Sequence, residues 1–258
     1  MKYNFITPFN HETQTNIIHF TIPMFQHKNY KIVQISDVHI GYYLGQSFLE
    51  KLVNQIIEIE PNICVITGDL IAYSRRFSMD ILTPLKKLTS KIDTYFVLGN
   101  HEIGLYTYRI EEFLIGLREF GVKTLHNQST IVATKNCKFN LVGIGDKIGG
   151  YYNSPVDIPK SFRNIDKNLE TIVLVHRPDT VKYFKDYPFV LVLSGHNHGG
   201  QITKLGLINA ILKKEWRYLT GEIEIKKNKF LYITTGVGYS RLPLRVFAPS
   251  EIAVIVIN

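Results

Sequence analysis

Short runs of β-branched and other apolar residues alternate with amphipathic stretches through the first half of the chain, the pattern of strands joined by helices. Lys31–Ser36 reads as a strand. Gln46–Glu58 puts Phe48, Leu49, Leu52, Val53, Ile56 and Ile57 on one face, which predicts a helix that Pro61 ends. Asn62–Thr67 and Thr94–Leu98 follow as strands, and Met79–Leu88 and Arg109–Phe120 as helices, the second closed by Gly121. Then the character changes. Lys123–Leu125, Ser129–Ala133 and Phe139–Ile144 are short runs separated by polar turns with no helical spacing between them, which predicts a second, more antiparallel sheet. Thr171–Val175 and Phe189–Ser194 flank a helix expected to start near Pro178, and Trp216–Ile225, Phe230–Thr235 and Glu251–Ile257 read as further strands. No repeat, low-complexity tract or linker interrupts the series, so one domain over residues 1–258 is expected.

Composition is that of an ordinary globular chain, with 45% hydrophobic and 20% charged residues, which excludes a long disordered tail. The formal charge of +8 suits an anionic partner or simple solubility. Cys64 and Cys137 have no neighbour at metal-ligand or disulfide spacing, and Cys64 lies inside the apolar run Ile63–Ile66, where it reads as a small buried hydrophobe. Residues 1–10 lack the apolar core of a signal peptide, and no apolar stretch approaches the roughly 18–20 residues that span a bilayer. A cytoplasmic location is therefore expected, with peripheral attachment to the inner membrane face left open.

Chemistry gathers where the apolar runs end: Asp37-Val38-His39, Gly68-Asp69, Gly99-Asn100-His101-Glu102, Val175-His176 and Gly195-His196-Asn197-His198. In an open α/β sheet the carboxyl ends of strands are where ligands bind. Asp37, Asp69 and Asn100 offer hard oxygens and His39, His176, His196 and His198 borderline nitrogens, a mixture suited to manganese, iron or zinc rather than to magnesium or calcium. Seven such groups exceed one tetrahedral zinc and match two ions sharing a carboxylate. If the strands persist, residues i and i+2 share a face, so Asp37 and His39 point together, as do His196 and His198. Glycines 68, 99 and 195 would let backbone approach the site closely.

In this order the segments resemble the signature of calcineurin-like metallophosphoesterases, over residues 37–198. The resemblance implies a four-layer α-β-β-α sandwich of two mixed sheets with flanking helices. It further implies one ion held by Asp37, His39, Asp69 and His198, and a second by Asp69, Asn100, His176 and His196, manganese being expected and iron or zinc the alternatives. Asp69 would bridge, a hydroxide held between the ions would attack phosphorus in line, and His101 would protonate the leaving oxygen without binding metal. Glu102 reads either as an acceptor orienting an imidazole or as a solvated charge at a helix start.

His176-Arg177-Pro178-Asp179, Gly195–Ile202, Gly236-Val237-Gly238-Tyr239, Leu242–Arg245 and Pro249–Ile252 are similar to a bacterial subgroup of membrane-associated phosphodiesterases. One branch of it cleaves the pyrophosphate of UDP-2,3-diacylglucosamine in lipid A synthesis. That implies a phosphorylated small molecule or glycolipid as substrate and an anionic membrane surface as partner, with no specific nucleic acid; oligomeric state is not legible. Members often carry an N-terminal hydrophobic anchor, which residues 1–10 do not suggest. Membrane contact is expected instead from residues 204–229, a candidate substrate- or membrane-facing insertion in which Leu205, Leu207, Ile208, Ile211, Leu212 and Trp216 alternate with Lys204, Lys213, Lys214 and Arg217. A core segment with a basic edge reads equally well there. Arg177, Arg241 and Arg245 are candidate phosphate binders, since the guanidinium fork matches phosphate oxygens. Tyr42, Tyr43 and Tyr239 are candidates for stacking on a base or lining an acyl channel. The alternatives are a nuclease or cyclic-nucleotide phosphodiesterase, and a non-catalytic metal-stabilised scaffold.

Overall fold

The computed structural model describes residues 6–8, 14–20, 30–72, 78–105, 109–134, 137–151, 154–202 and 218–257. Its strands are β1 (Ile6–Pro8), β2 (Gln14–Phe20), β3 (Tyr30–Ile35), β4 (Ile63–Thr67), β5 (Thr94–Val97), β6 (Lys123–Thr124), β7 (Gln128–Thr134), β8 (Cys137–Gly143), β9 (Thr171–Leu174), β10 (Leu191–Ser194), β11 (Gly221–Lys226), β12 (Lys229–Ile233), β13 (Leu244–Val246) and β14 (Glu251–Ile257). The helices are α1 (Gln46–Ile59), α2 (Leu85–Thr89), α3 (Asn100–Leu105), α4 (Ile110–Glu119) and α5 (Ile158–Phe162).

Two six-stranded sheets form, in the orders β2-β14-β3-β4-β5-β6 and β11-β12-β10-β9-β8-β7. In the first, β3 to β6 run parallel and β14 is antiparallel to β3. In the second, β8, β9, β10 and β12 are parallel, and only the outer pairs β7–β8 and β11–β12 are antiparallel. The second sheet is thus mixed with a parallel centre, less antiparallel than its short runs and polar turns suggest. Among the described residues the parallel β8–β9 and β9–β10 connections contain the short α5 and 3₁₀ turns over Lys147–Tyr151 and Pro178–Tyr183, so helical periodicity is weak there.

Neighbouring residues on one strand face different layers. Ile32, Val65 and Val97 of the first sheet pack with Leu141, Ile172, Leu174, Leu191 and Leu193 of the second. Val33, Ile66 and Phe96 turn outward onto Leu52 and Ile56 of α1, Leu88 of α2 and Phe113 of α4. On the far side Val142, Val173 and Val192 meet Phe162, Val181 and Phe184. Strands buried on both faces read as continuous apolar runs, which is why their positions were visible in the sequence. The outcome is the expected four-layer α-β-β-α sandwich of mixed sheets.

The region expected as one helix, Met79–Leu88, is a 3₁₀ turn over Met79–Leu82 followed by α2, because Pro84 cannot donate an N–H within a continuous helix. Beyond the expected elements, β1 and β13 form a small antiparallel pair, and β2 adds parallel to β14. Residues 203–217, most of the candidate membrane-facing segment, lie outside the described residues. Among those described, no helix is long and apolar enough to cross a membrane.

Cys64 and Cys137 are both free and buried. Burial pushes the Cys64 thiol up to about 12 and that of Cys137 up to about 11. Neither thiol should react with an aromatic disulfide reagent at about pH 8, where ordinary thiols titrate, until denaturant opens the fold. Rapid labelling of the native protein would show that these layers open.

Candidate metal centre

The carboxyl ends of β3 and β4 meet those of β9 and β10 across the sandwich. Buried Gln34 on β3 donates through Nε2 to Thr67 Oγ1 (3.0 Å) and to the Ser194 carbonyl (2.9 Å) of the opposite sheet. His176, just past β9, donates from Nδ1 to the Thr67 carbonyl at 2.8 Å. A carbonyl only accepts, so Nδ1 carries a hydrogen and Nε2 is the nitrogen that faces the site.

The ligand-bearing loops leave their strands sharply. The strand β3 stops at Ile35, and Asp37 and His39 have φ of 54° and 53°. Asp69 (51°), His196 (75°) and His198 (51°) are also left-handed. The extended i, i+2 geometry expected from sequence therefore gives way to left-handed turns, which still bring Asp37, His39 and His198 together. Asp and His tolerate this conformation better than bulky residues, yet each non-glycine instance costs about 1–2 kcal/mol, and such strain gathers where a site demands it. Backbone bonds hold the turns, from Asp37 N–H to the Gly68 carbonyl (3.0 Å) and from His39 N–H to the Asp69 carbonyl (3.1 Å). Gly195 has no room for a side chain, since a Cβ would lie 2.0 Å from Ser36 Oγ and 2.3 Å from Asp37 Oδ2. At Gly99 it would lie 2.4 Å from the Asp69 nitrogen.

Three groups of donors result, each with its atoms within 4.8 Å of one another: Asp37, His39 and His198; His39, Asp69 and His101; and Asp69, His176 and His196. Asp69 joins the second to the third, its Oδ2 lying 3.3 Å from His176 Nε2 and 3.9 Å from both His39 Nε2 and His101 Nε2. On one side His39 Nε2 is 3.0 Å from His198 Nε2, which is 3.4 Å from Asp37 Oδ1. On the other His196 Nδ1 is 3.2 Å from His176 Nε2. Asn100, at the start of α3, is drawn to this second side through Arg177, whose Nη2 donates to Asn100 Oδ1 at 3.1 Å and whose Nη1 lies 2.8 Å from His196 Nε2.

The electrostatics suit a cation. Burial holds His196 and His198 well below the usual histidine range and His39 down to about 3, so these imidazoles are neutral donors. Burial also lowers His176, but the carboxylates of Asp69, Asp37 and Asp146 outweigh it and push His176 up to about 10. Burial raises Asp37, a carboxyl uncomfortable as an uncompensated anion. Its Oδ2 accepts from the His196 backbone N–H at 2.9 Å, while Oδ1, fully buried, has no hydrogen-bond partner among the described residues. A buried carboxylate oxygen aimed at neutral imidazoles fits a divalent ion, and ions bound there would replace the proton held between Asp69 and His176.

Glu102 is neither an imidazole acceptor nor a solvated charge. It is fully buried, with Oε2 accepting from the backbone N–H of Asp69 (3.1 Å) and Gly99 (2.8 Å) and Oε1 from that of Ile71 (3.1 Å). Burial and neighbouring Asp69 push its carboxyl up to about 7. The three arginines diverge. Arg177 is partly exposed at the site, Arg241 is exposed, and Arg245 is 1% exposed. Its guanidinium donates to the carbonyls of Gly238, Thr235 and Ala248 and lies 3.2 Å from His198 Nδ1. Proximity to the site, expected from sequence, holds; a free phosphate-facing fork does not. Tyr239 is buried, whereas Tyr42 and Tyr43 are exposed and Tyr43 Oη donates to the Arg241 carbonyl. Sequence reading missed Asp146, buried and bonded to Arg177 Nε. The signal was there, since Gly145-Asp146 follows the run Phe139–Ile144 as Gly68-Asp69 follows its own strand.

A calcineurin-like phosphoesterase family model matches residues 30–200. The chain is 32% identical over 234 residues to an uncharacterised metallophosphoesterase of Campylobacter jejuni, covering 88% of this chain and 59% of that protein. It is 29% identical to the UDP-2,3-diacylglucosamine pyrophosphatase LpxG of Chlamydia muridarum, covering 87% of this chain and 82% of the relative. The fold is similar to that of a dimetal phosphatase from Danio rerio, with TM-score 0.50 at 13% identity over 81% of this chain and 88% of that one. The chain thus spans about three fifths of the length of the first curated relatives it matches.

Manganese added to chelator-treated protein should raise its melting temperature, because an ion bound only by the native state stabilises it by about 2.7 kcal/mol at a hundredfold excess over Kd. Asp69→Ala, which removes the carboxylate between the two sides, should abolish the shift. A full shift in that variant would place the ions elsewhere.

Proposed function

The chain belongs to the calcineurin-like phosphoesterase family, and from that premise we propose that it hydrolyses a phosphodiester or pyrophosphate bond at this centre. Asp37, His39, Asp69 and His198 would hold one divalent ion, and Asp69, Asn100, His176 and His196 the other. Asp69 Oδ2, within 3.9 Å of imidazoles from three separate segments of the chain, is the observation that carries the reading. Two such ions supply Lewis acidity toward phosphoryl oxygens and lower the pKa of water at the centre. Their identity is taken as manganese, with iron or zinc fitting the same donors.

The chain's own groups do the rest. His101 is 26% exposed, with Nε2 3.9 Å from Asp69 Oδ2, and would pass a proton to the departing oxygen from there. Its backbone N–H donates to Asp69 Oδ1 at 2.8 Å, so the segment carrying the proposed acid also fixes the bridging carboxylate. Arg177, whose guanidinium lies beside His196 and Asn100, would meet phosphoryl oxygens, and exposed Arg241 is a second candidate. An acid has no purpose in a metal-stabilised scaffold, which disfavours the non-catalytic alternative.

His101→Ala should lose about 10²–10⁴-fold on an alkyl phosphodiester and far less on a p-nitrophenyl ester, whose leaving group needs no proton. Equal losses on both, accompanied by weaker manganese binding, would make His101 a ligand instead.

The finer reading is a nucleotide-linked glycolipid such as UDP-2,3-diacylglucosamine, in lipid A synthesis. Support comes from the pyrophosphatase relative and from exposed Tyr42, Tyr43, Leu242 and Phe247 on the 42–43 and 241–247 loops, which the Tyr43–Arg241 bond ties together. Apolar rings beside an arginine suit an acyl chain or the face of an anionic bilayer, consistent with peripheral attachment at a membrane. With manganese present, UDP-diacylglucosamine should be cleaved in preference to bis-p-nitrophenyl phosphate, cyclic nucleotides and single-stranded DNA. Faster turnover of the last two would favour the nuclease or cyclic-nucleotide alternative.

A further inference from the structure

Arg177 makes an unusual use of its guanidinium. An arginine paired with a carboxylate commonly spends two nitrogens on it in a parallel fork. Here Nε alone spans the carboxylate, lying 3.1 Å from both Oδ1 and Oδ2 of Asp146. Both terminal nitrogens thereby reach the site, Nη1 lying 2.8 Å from His196 Nε2 and Nη2 donating to Asn100 Oδ1, two groups proposed for the same ion, and each nitrogen keeps a second N–H. Asp146 is fully buried and Arg177 19% exposed, so the anchor is inside and the tip faces out. The loops carrying the pair are pinned once more by Lys147 Nζ to Asp179 Oδ2 at 2.5 Å. Lys147, Arg177, Asp179, His196, Asn197 and Tyr218 line a small pocket there, beside the centre.

We infer that Asp146 is a positioning residue: through Nε of Arg177 it aims both terminal nitrogens at the oxygens of a phosphoryl group seated beside Asn100 and His196. The inference rests on the phosphoesterase reading of the centre. It names a function for a residue outside the ligand set, acting only through Arg177. The competing role is local. Asp146 Oδ1 also accepts from the Ile148 N–H at 2.9 Å, and its carbonyl from the Gly149 N–H at 2.9 Å, so the carboxylate could serve merely to fold the turn at 147–151. Asparagine separates the two roles. Its carbonyl oxygen at the Oδ1 position can keep the Ile148 bond, but the charge is lost and the amide nitrogen at the Oδ2 position meets Arg177 Nε donor against donor, so the two-oxygen hold on Nε is broken.

The test is a double-mutant cycle read by calorimetric titration of inorganic phosphate into manganese-loaded protein, for wild type, Asp146→Asn, Arg177→Ala and the double variant. Loss of a charge-assisted hydrogen bond that aims the fork should weaken phosphate binding about 10-fold in Asp146→Asn. The double variant should match Arg177→Ala within about 2-fold, since a positioning residue has nothing left to position. Manganese titrated alone should bind Asp146→Asn as it binds wild type. Additive losses, or weakened manganese binding in Asp146→Asn, would overturn the inference in favour of a turn-forming or ion-holding role. Should Asp146→Asn fail to fold, Arg177→Lys keeps the carboxylate and its turn. A single ammonium held at Asp146 cannot also reach the phosphoryl oxygens, so its phosphate affinity should fall as far as that of Arg177→Ala, and wild-type affinity would overturn the proposal. Coupled phosphate binding without ester hydrolysis by the wild type would sink the phosphoesterase reading and leave the positioning role standing. Absence of phosphate binding by the loaded wild type would sink both.

Discussion

The Thr67 carbonyl is where the two sheets are joined at the site. It accepts from His176 Nδ1, which belongs to the second sheet's loops, and from Ser36 Oγ at 3.0 Å, which belongs to the first. One acceptor thereby sets the relative height of the β3, β4 and β9 ends and fixes which nitrogen of His176 faces inward. Gln34 repeats the link one layer deeper, reaching the Ser194 carbonyl at the end of β10. All these groups are buried, so a slip of one sheet against the other would strand polar atoms away from water, at about 1–3 kcal/mol for each. A cluster whose donors come half from each sheet needs that constraint, because a shift of an ångström would separate Asp69 from His176.

Local strain is held by the same neighbourhood. Five of the proposed ligands sit in left-handed backbone, a combined demand that isolated loops would relax by unwinding. They are kept by backbone bonds between the 37–39 and 68–70 loops, and by Glu102, whose two oxygens take N–H groups from Asp69, Ile71 and Gly99. Glycines 99 and 195 contribute by what they lack, since a Cβ at either would occupy the space of Asp69 or Asp37.

The strands and the ligand segments were legible because both follow from short-range rules: strands buried on two faces are apolar throughout, and the polar groups that follow them stand out. Backbone handedness was not. Nothing in Asp37-Val38-His39 announces that the strand has already ended at Ile35, because that turn is set by hydrogen bonds to residues 68–70, some thirty positions away. Met79–Leu88 misled in a different way, its periodicity surviving a proline that breaks the helix. Glu102 and Asp146 were obscure for one common reason. A carboxylate whose partners are backbone N–H groups or a distant arginine has no sequence spacing that names them, so even where a Gly-Asp pair after an apolar run marks the position, as at Gly145-Asp146, only burial reveals that it must be partnered.

The three arginines show how far residue type alone falls short of chemistry. Each half of the cluster is backed by a guanidinium, Arg245 behind His198 and Arg177 beside His196, and from sequence the two are equivalent. Arg245 is sealed, its donors taken by the carbonyls of residues 235, 238 and 248, so its charge offsets the buried carboxylate of Asp37 and its fork braces the loop that follows β12. Arg177 is anchored by Nε, and its two terminal nitrogens, each with one N–H turned to His196 Nε2 or Asn100 Oδ1, keep a second N–H apiece at a solvent-reachable tip. A guanidinium can meet an incoming phosphoryl group only if its remaining donors are unspent on the protein's own acceptors and its tip is reachable by solvent. By that criterion the His196 side is the face at which the proposed phosphoryl substrate would be met. The His198 side, closed from behind by Arg245, is the wall against which the cluster is built.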